Sequence, residues 1–270
     1  MKSFVAEKSG KLVKLSMEKI EGLSYSAVMK LLRNKDVKIN GKRVNKDVLI
    51  NKNDIVELYM LDVVVEKYSV IYQDQNVLIV DKKSGFTSES VYETVKQSND
   101  NACFIHRLDR NTSGIMIFAL NNIAEKELLL GFKTRAFIKK YLTTVIGTMD
   151  KKQDVLTAYL KKDAENSLVK IYNSNVKGSV EIKTGYEVLS SNNDTSDLSV
   201  TLYTGKTHQI RAHLAFIGHP IVGDGKYGDN QFNKKHGEKS QKLRAYFLQL
   251  NFRKESLLYY LNGKIFTTEN

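Results

Sequence analysis

Apolar residues in this chain occur in short runs, and runs typical of strands outnumber runs typical of helices without alternating with them regularly. One of the longest purely apolar runs, Ile115–Leu120, is far below the roughly 18 residues that a membrane-spanning helix needs. An irregular order of strands and helices favours an α+β fold over a doubly wound parallel sheet. We therefore predict an α+β protein without a membrane partner.

The single cysteine, Cys103, narrows the possible chemistry. One thiol excludes an internal disulfide, a multi-cysteine zinc finger and an iron–sulfur cluster, and it is typical of a reducing compartment. The first residues, MKSFVAEKSGK, carry charges throughout and contain no apolar segment of a secretory signal. The expected location is therefore cytoplasmic.

Positive charge is concentrated at the amino end of the chain. The whole chain has 42 Lys and Arg against 30 Asp and Glu, a net charge of +12. Residues 1–60 hold 13 basic and 7 acidic side chains, so +6 of this total lies in less than a quarter of the chain. Such a segment favours binding to a polyanion, most often nucleic acid, although a basic surface can also serve only to keep a protein in solution.

Two short helices and a hairpin are predicted within the same basic segment. Lys11–Ile20 has apolar residues at helical spacing, and Ser24 is a suitable N-cap for a second helix over Tyr25–Arg33. Asn40 and Gly41 lie between two alternating runs, which is the strongest short-range signal for a β-hairpin.

The segment Leu12–Met60, which includes SYSAVMKLLRNKDVKINGKRV, resembles the alpha-L RNA-binding domain, named for a small-subunit ribosomal protein. The resemblance implies an RNA-binding domain over residues 1–62, followed by a linker over 63–68. It also implies contacts to phosphates, which position RNA without reading its sequence, through Lys30, Arg33, Lys35, Lys38, Lys42 and Arg43. The alternative is that these side chains only solubilise a small domain.

The polar loop His106–Gly114, HRLDRNTSG, places four ionisable groups between two apolar strands. Asp109 is flanked by Arg107 and Arg110, and nearby positive charge favours an ionised carboxylate. Such a carboxylate can act as a nucleophile or a base. Taken alone, however, an aspartate in a polar loop more often caps a turn and pairs with a neighbouring arginine.

Three segments resemble, in order and spacing, the RluA-type RNA pseudouridine synthases: HRLDRNTSGIMIFAL, KKYL at 139–142, and TGKTHQIRAHL followed by GHPIVGD at 204–224. The resemblance implies a catalytic domain over residues 69–270, built on a mixed, largely antiparallel sheet. It implies that Asp109 is the nucleophile, that Tyr141 lies against the uracil, and that Arg211 forms a charge-assisted pair with Asp109. The sequence leaves three routes open for Asp109: attack on the sugar, attack on the base, or proton abstraction to give a glycal intermediate. For Tyr141 the alternative is ordinary core packing.

A uridine stacked in RNA must be flipped out of the stack to reach a carboxylate in a cleft. We predict that Arg107 fills the resulting gap, since a planar guanidinium can replace the missing base; a salt bridge to a nearby carboxylate is the alternative. The lysines expected to contact phosphates along the approach are Lys82, Lys83, Lys139, Lys140 and Lys206.

The implied reaction detaches the base, turns it and reattaches it through carbon 5, so nothing is oxidised or hydrolysed overall. We therefore expect no cofactor and no metal, and RNA as the partner, with ribosomal RNA or a ribosomal assembly intermediate preferred. Gly205-Lys206-Thr207 does not complete a phosphate-binding loop, because Val200 stands where that loop needs glycine. The rival predictions are an RNA-binding or assembly protein with an idle second domain, and a carboxylate-based hydrolase.

Overall fold

A computed structural model describes residues 1–20, 23–59, 66–163, 165 and 167–268 of the chain. It divides into two compact units, Met1–Glu66 and Lys67–Asn270. The predicted boundary at residue 62 and the first half of the predicted linker, 63–65, lie outside the described residues. Tyr68, assigned to the linker by the sequence, begins a strand because its backbone pairs with Lys82.

The first unit packs two helices against small antiparallel sheets. One sheet has the strand order β1-β6-β3-β4, and β2 pairs with β5. The elements are β1 (Lys2–Val5), β2 (Gly10–Lys11), α1 (Leu12–Lys19), α2 (Tyr25–Arg33), β3 (Val37–Ile39), β4 (Lys42–Val44), β5 (Leu49–Ile50) and β6 (Ile55–Leu58).

Local signals explain the predicted elements of this unit. The Ser24 hydroxyl accepts a hydrogen bond from the Ala27 N–H at 3.2 Å and so caps α2. Asn40 and Gly41 have φ values of 49° and 78°, the left-handed pair that a tight hairpin turn between β3 and β4 requires. Both predicted helices and the predicted hairpin are therefore confirmed.

The second unit is built on one large sheet with helices on both faces. Its strands are β7 (Tyr68–Gln73), β8 (Val77–Lys82), β9 (Cys103–Phe104), β10 (Ser113–Ala119), β11 (Ile138–Ile146), β12 (Gln153–Asp163), β13 (Leu168–Tyr172), β14 (Val180–Ser191), β15 (Thr195–Leu202), β16 (Leu243–Gln249) and β17 (Ile265–Thr267). Its helices are α3 (Ser88–Ser98), α4 (Asn122–Lys133), α5 (Gln209–Phe216) and α6 (Asn230–Lys235), with a 3₁₀ turn at Tyr259–Leu261.

Within the described residues the sheet order is β13-β12-β14-β15-β11-β16-β10-β8-β7, with β17 on β16 and β9 on β10. β10 and β16 run parallel, and the other pairs are antiparallel. Alternate residues of β8 and β10 enter two separate cores, one packed against α3 and α5 and the other against α4. The predicted α+β class with a mixed, largely antiparallel sheet is confirmed.

Two parts of the second unit differ from their sequence patterns. Helix α3 was not apparent, because its sequence SESVYETVKQS is polar and buries only Val91 and Val95 as apolar anchors. The polar stretch 190–197 reads as a surface loop, yet β14 extends to Ser191 and β15 starts at Thr195. Backbone pairing across an exposed hairpin end needs no apolar side chains. A prediction from polarity therefore ends β14 too early and starts β15 too late. Among the described residues, the helices include none long and apolar enough to span a membrane.

Candidate active site

An open cleft of about 490 Å³ lies on the second unit, and its lining brings together three distant segments. The loop His106–Gly114 supplies Asp109, strand β11 supplies Tyr141, and helix α5 supplies Arg211. All three predicted catalytic residues therefore line one cavity, although 102 residues separate Asp109 from Arg211.

The loop that carries Asp109 is fixed on both sides. The Leu108 N–H donates to the Ser88 hydroxyl at 2.8 Å, and that hydroxyl lies 2.9 Å from the Leu108 carbonyl oxygen. Beyond the loop, Gly114 has φ +113° and packs so closely on the backbone of Ala245 that a Cβ would collide with it. Helix α3, missed in the sequence, thus anchors the loop through its first residue.

The predicted contact between Asp109 and Arg211 is present. Arg211 Nη1 donates to Asp109 Oδ2 at 2.8 Å, with side-chain exposures of 8% for Arg211 and 20% for Asp109. The flanking arginines point elsewhere: Arg110 Nε donates to the Gly85 carbonyl at 2.9 Å, and Arg107 lies 3.5 Å from Glu89. The side chain of Asp109 is therefore held by Arg211 on α5, and not by the arginines that flank it in the sequence.

Asp224, for which no role was predicted, holds the other side of Arg211. Arg211 Nε and Nη2 donate to the two Asp224 carboxylate oxygens at 2.7 and 2.9 Å, and the Asp224 side chain is fully buried. Burial alone would raise the pKa of Asp224, but Arg211 and the N–H groups of Lys226 and Tyr227 outweigh it and lower that pKa. Burial likewise opposes the charge of Arg211, and the two carboxylates outweigh it and raise its pKa. The sequence signal for Asp224 was its place at the end of GHPIVGD, one of the segments that carry the family resemblance.

Tyr141 is 8% exposed and belongs to both the core and the cleft lining. Its strand is paired on both sides, with Val200 on β15 and Ala245 on β16. Burial, and then the negative charge of Asp109, raise the pKa of the Tyr141 phenol. The hydroxyl is therefore protonated near neutral pH. Core packing and a position at the cleft, which the sequence left as alternatives, coexist here.

His208 also faces the catalytic carboxylate. It has a left-handed backbone (φ 55°) just before α5, its Nε2 lies 3.8 Å from Asp109 Oδ2, and its Nδ1 lies 3.0 Å from the Tyr227 hydroxyl. Burial lowers the pKa of His208, so the neutral imidazole is favoured. The described residues include no group of three or more His, Cys, Asp and Glu that could hold a metal ion.

The prediction that Lys82 contacts phosphate is wrong in this structure. The side chain is completely buried, and its Nζ donates to the carbonyls of Lys83, Phe86 and Arg110 at 3.1, 2.8 and 3.1 Å. Burial lowers the pKa of Lys82 to about 8, although Asp109 opposes this. An ammonium whose three donors are used by backbone carbonyls has none left for RNA, so Lys82 instead links β8 to the loop that carries Asp109.

The remaining predicted lysines divide into two groups. Lys139 and Lys206 line the cleft, Lys206 exposed and Lys139 half-buried with its Nζ 5.3 Å from the Phe132 ring centre. Burial lowers the pKa of Lys139. Lys140 instead lies over the ring of Phe247, and Lys83 is exposed.

In the first unit, the predicted RNA contacts lie on α2 and the following hairpin. Lys38 is half-buried, and its Nζ donates to the Tyr59 hydroxyl at 2.9 Å. The exposed members of the predicted set are Lys30, Arg33, Lys35, Lys42 and Arg43.

Comparisons with known proteins identify the family of this chain. The family model described as RNA pseudouridylate synthase matches residues 67–216. Ribosomal large subunit pseudouridine synthase C of Vibrio cholerae is 29% identical over 79% of this chain and 75% of its own length. An uncharacterized RNA pseudouridine synthase of Mycoplasma capricolum is 29% identical over 98% of this chain and 96% of its own.

The fold has solved relatives as well. The structure of human RNA pseudouridylate synthase domain containing 1 matches with a TM-score of 0.66 at 24% identity, covering 78% of this chain and 86% of that one. The family match spans more than half of the chain and contains Asp109, Tyr141 and Arg211. The chain therefore belongs to the RNA pseudouridylate synthase family, whose members isomerise uridine in RNA to pseudouridine.

Proposed function

We propose that this enzyme modifies specific uridines of large-subunit ribosomal RNA in the cytoplasm, with Asp109 as the nucleophile. The observation that carries the proposal is the Asp109 carboxylate in an open cleft, 2.8 Å from a buried arginine. The name of the Vibrio cholerae relative supports the choice of RNA.

The reaction conserves all atoms of the substrate. The bond from uracil N1 to the ribose C1′ breaks, a bond from C5 to C1′ forms, C5 loses its proton, and N1 gains one. Arg211 engages Asp109 Oδ2, so we assign Oδ1 to the substrate. No oxidant, nucleotide or metal is needed for this balance.

Tyr141 contributes a neutral ring and a hydroxyl. Because burial and the charge of Asp109 raise its pKa, the phenol enters the reaction protonated and packs against the uracil as an uncharged surface. In the late proton removal from C5 we assign the Tyr141 hydroxyl a relay role: its oxygen accepts the C5 proton as its own proton passes to the Asp109 carboxylate, which is the base overall.

Arg107 is the residue that we propose fills the place of the flipped uridine. Its side chain is 64% exposed, and its ion pair with Glu89 at 3.5 Å is also exposed. Exposed pairs contribute about 1 kcal/mol or less. Releasing Arg107 into an RNA stack therefore costs little compared with the few kcal/mol of base flipping.

Two basic surfaces are proposed to hold the RNA. Lys139 and Lys206 at the cleft contact phosphates next to the target uridine. The first unit, with its helix pair and hairpin, acts as an alpha-L RNA-binding domain through the basic side chains Lys30, Arg33, Lys35, Lys38, Lys42 and Arg43. Such contacts supply affinity that falls with salt and carry little sequence information.

The proposal is tested with purified enzyme and separate transcripts of large-subunit ribosomal RNA, small-subunit ribosomal RNA and transfer RNA. Pseudouridines are labelled chemically and mapped by primer extension stops, with the Asp109→Asn variant as the blank. We expect new stops at one or a few positions of the large-subunit transcript only. Stops confined to transfer RNA would contradict the substrate, and release of free uracil would indicate a hydrolase. Tight RNA binding without any stop would indicate a binding protein.

A further inference from the structure

Asp224 is a fully buried carboxylate beside the proposed nucleophile that no step of the proposed reaction uses. We propose that Asp224 is a positioning residue, which fixes the direction of Arg211 and, through it, of the Asp109 carboxylate. This inference rests on the proposed role of Asp109.

The geometry divides the guanidinium between two carboxylates. Asp224 takes one whole edge of Arg211, receiving Nε at 2.7 Å and Nη2 at 2.9 Å, one on each oxygen. A two-point contact of this kind fixes both the plane and the rotation of the guanidinium. Nη1 is thereby left to point at Asp109, which it meets at 2.8 Å. A single contact to Asp109 would leave Arg211 free to rotate about its long side chain.

Asp224 is itself held by the turn in which it lies. Its Oδ1 accepts the N–H groups of Lys226 and Tyr227 at 2.8 and 3.1 Å. Gly223, with φ +76°, and Gly228 both pack against backbone so closely that a Cβ would collide. The carboxylate therefore has one available position.

Tyr227, in the same turn as Asp224, packs its ring against one face of the Arg211 guanidinium. The Tyr227 ring centre lies 5.2 Å from Arg211 Cζ, and the Tyr227 hydroxyl accepts the Val169 N–H at 2.8 Å. Arg211 is thus restrained along one edge by Asp224 and across one face by Tyr227, which a charge partner alone would not require.

Asp224 has an electrostatic consequence as well. Arg211 between two ionised carboxylates leaves the group of three with a net charge of −1, whereas Arg211 with Asp109 alone would be neutral. Asp224 thus accepts two of the arginine's donors, and the hydrogen bond from Nη1 orients Asp109 without fully compensating its negative charge. A carboxylate that is oriented but keeps part of its negative charge is a better nucleophile than one that a single arginine neutralises fully.

The test is Asp224→Asn, which keeps the size of the side chain but turns an N–H₂ group toward Arg211. Misplacement of a reacting group by about 1 Å costs about a hundredfold in rate, so we expect kcat to fall between tenfold and a hundredfold. RNA affinity and KM should stay within about twofold, because Asp224 touches no RNA in the proposed complex. A residue that served only stability would lower the melting temperature and leave kcat of the folded fraction unchanged, which would overturn the proposal.

The matched control is Asp81→Asn. It removes the charge of a partly buried carboxylate on β8 that lies 2.7 Å from Arg244 on β16, away from Arg211. We expect this variant to lose stability but keep kcat. Should Asp224→Asn fail to fold, Asp224→Glu decides, since it keeps the charge and both oxygens but displaces them by one methylene. A lower kcat with unchanged RNA affinity supports the positioning role, and an unchanged kcat contradicts it. If Asp109→Asn is inactive while both Asp224 variants are fully active, only this inference fails; if Asp109→Asn is active, the proposed function fails.

Discussion

The two units use positive charge in opposite ways. In the first unit the basic side chains are mostly exposed, and ion pairs such as Lys8 with Glu18 and Lys19 with Glu7 lie at the surface. In the second unit Lys82 and Arg211 are buried, with their donors directed to backbone carbonyls or carboxylates. Exposed cations attract a polyanion at long range and individually matter little, whereas buried cations fix single groups in place. Substitutions should therefore have large effects in the cleft and small ones on the basic surface.

The largest effect is expected from Asp109→Asn. We expect kcat to fall by about 10⁴-fold or more, the scale seen when a catalytic carboxylate or nucleophile is removed. RNA affinity, measured by filter binding, should change less than about threefold, because Arg211 keeps its pair with Asp224 and the cleft stays intact. Turnover within tenfold of the wild type would remove Asp109 from the mechanism.

Tyr141→Phe separates the hydroxyl from the ring. A general acid or base usually contributes between about 10² and 10⁴ in rate, so we expect at least a hundredfold loss in kcat with KM unchanged. The ring continues to fill its place in the core, and the melting temperature should hardly move. A variant with more than half of the wild-type kcat would show that Tyr141 only packs.

The third prediction concerns the stability of the second unit in acid. All five histidines of the chain lie in this unit. Burial lowers the pKa of His106 to about 3 and of His213 to about 4. Below the unfolded value of about 6.5, the unfolded chain binds protons that the folded chain does not, so stability falls as the pH drops.

Between pH 6.5 and 5, each of these two histidines should lower the free energy of unfolding by about 1.6 kcal/mol, because the unfolded imidazole is already half protonated at pH 6.5. Urea unfolding of the full chain at both pH values measures the loss. In His213→Gln the starting stability is lower, because the bond to Thr184 at 3.0 Å is changed, but the loss over this pH range should shrink by the share of one histidine. An equal loss in the variant would contradict the assignment.

The smallest effect is expected on the basic surface of the first unit. Each phosphate contact contributes about 0.7–0.9 to the slope of log affinity against log salt. The double variant Lys42→Gln/Arg43→Gln should therefore lower the slope by about 1.4–1.8 and weaken RNA binding several-fold, with kcat unchanged. The control Lys8→Gln/Lys19→Gln removes the same charge from residues paired with Glu18 and Glu7. Equal slopes for the two variants would show that only net charge matters.

Elements governed by neighbouring residues were accessible from the sequence. Ser24 caps α2, and Asn40-Gly41 closes the hairpin between β3 and β4. Each is a short-range preference that acts within a few residues. Helix α3 carried too few apolar residues for its period to be recognised, and the assignment of Lys82 failed because burial is not a local property.

The kinds of reacting group that this protein carries can be read from the order of its residues: a carboxylate in a recognisable loop, a tyrosine on a strand, an arginine at a distance and an excess of positive charge at one end. How these groups are held follows only from the folded chain. The pairing of Arg211 with both Asp109 and Asp224, the burial of Lys82 and the approach of His208 all depend on which strands become neighbours in the sheet. Such contacts close long loops of chain, so their stability comes from the packed fold as a whole and not from preferences of the residues nearby.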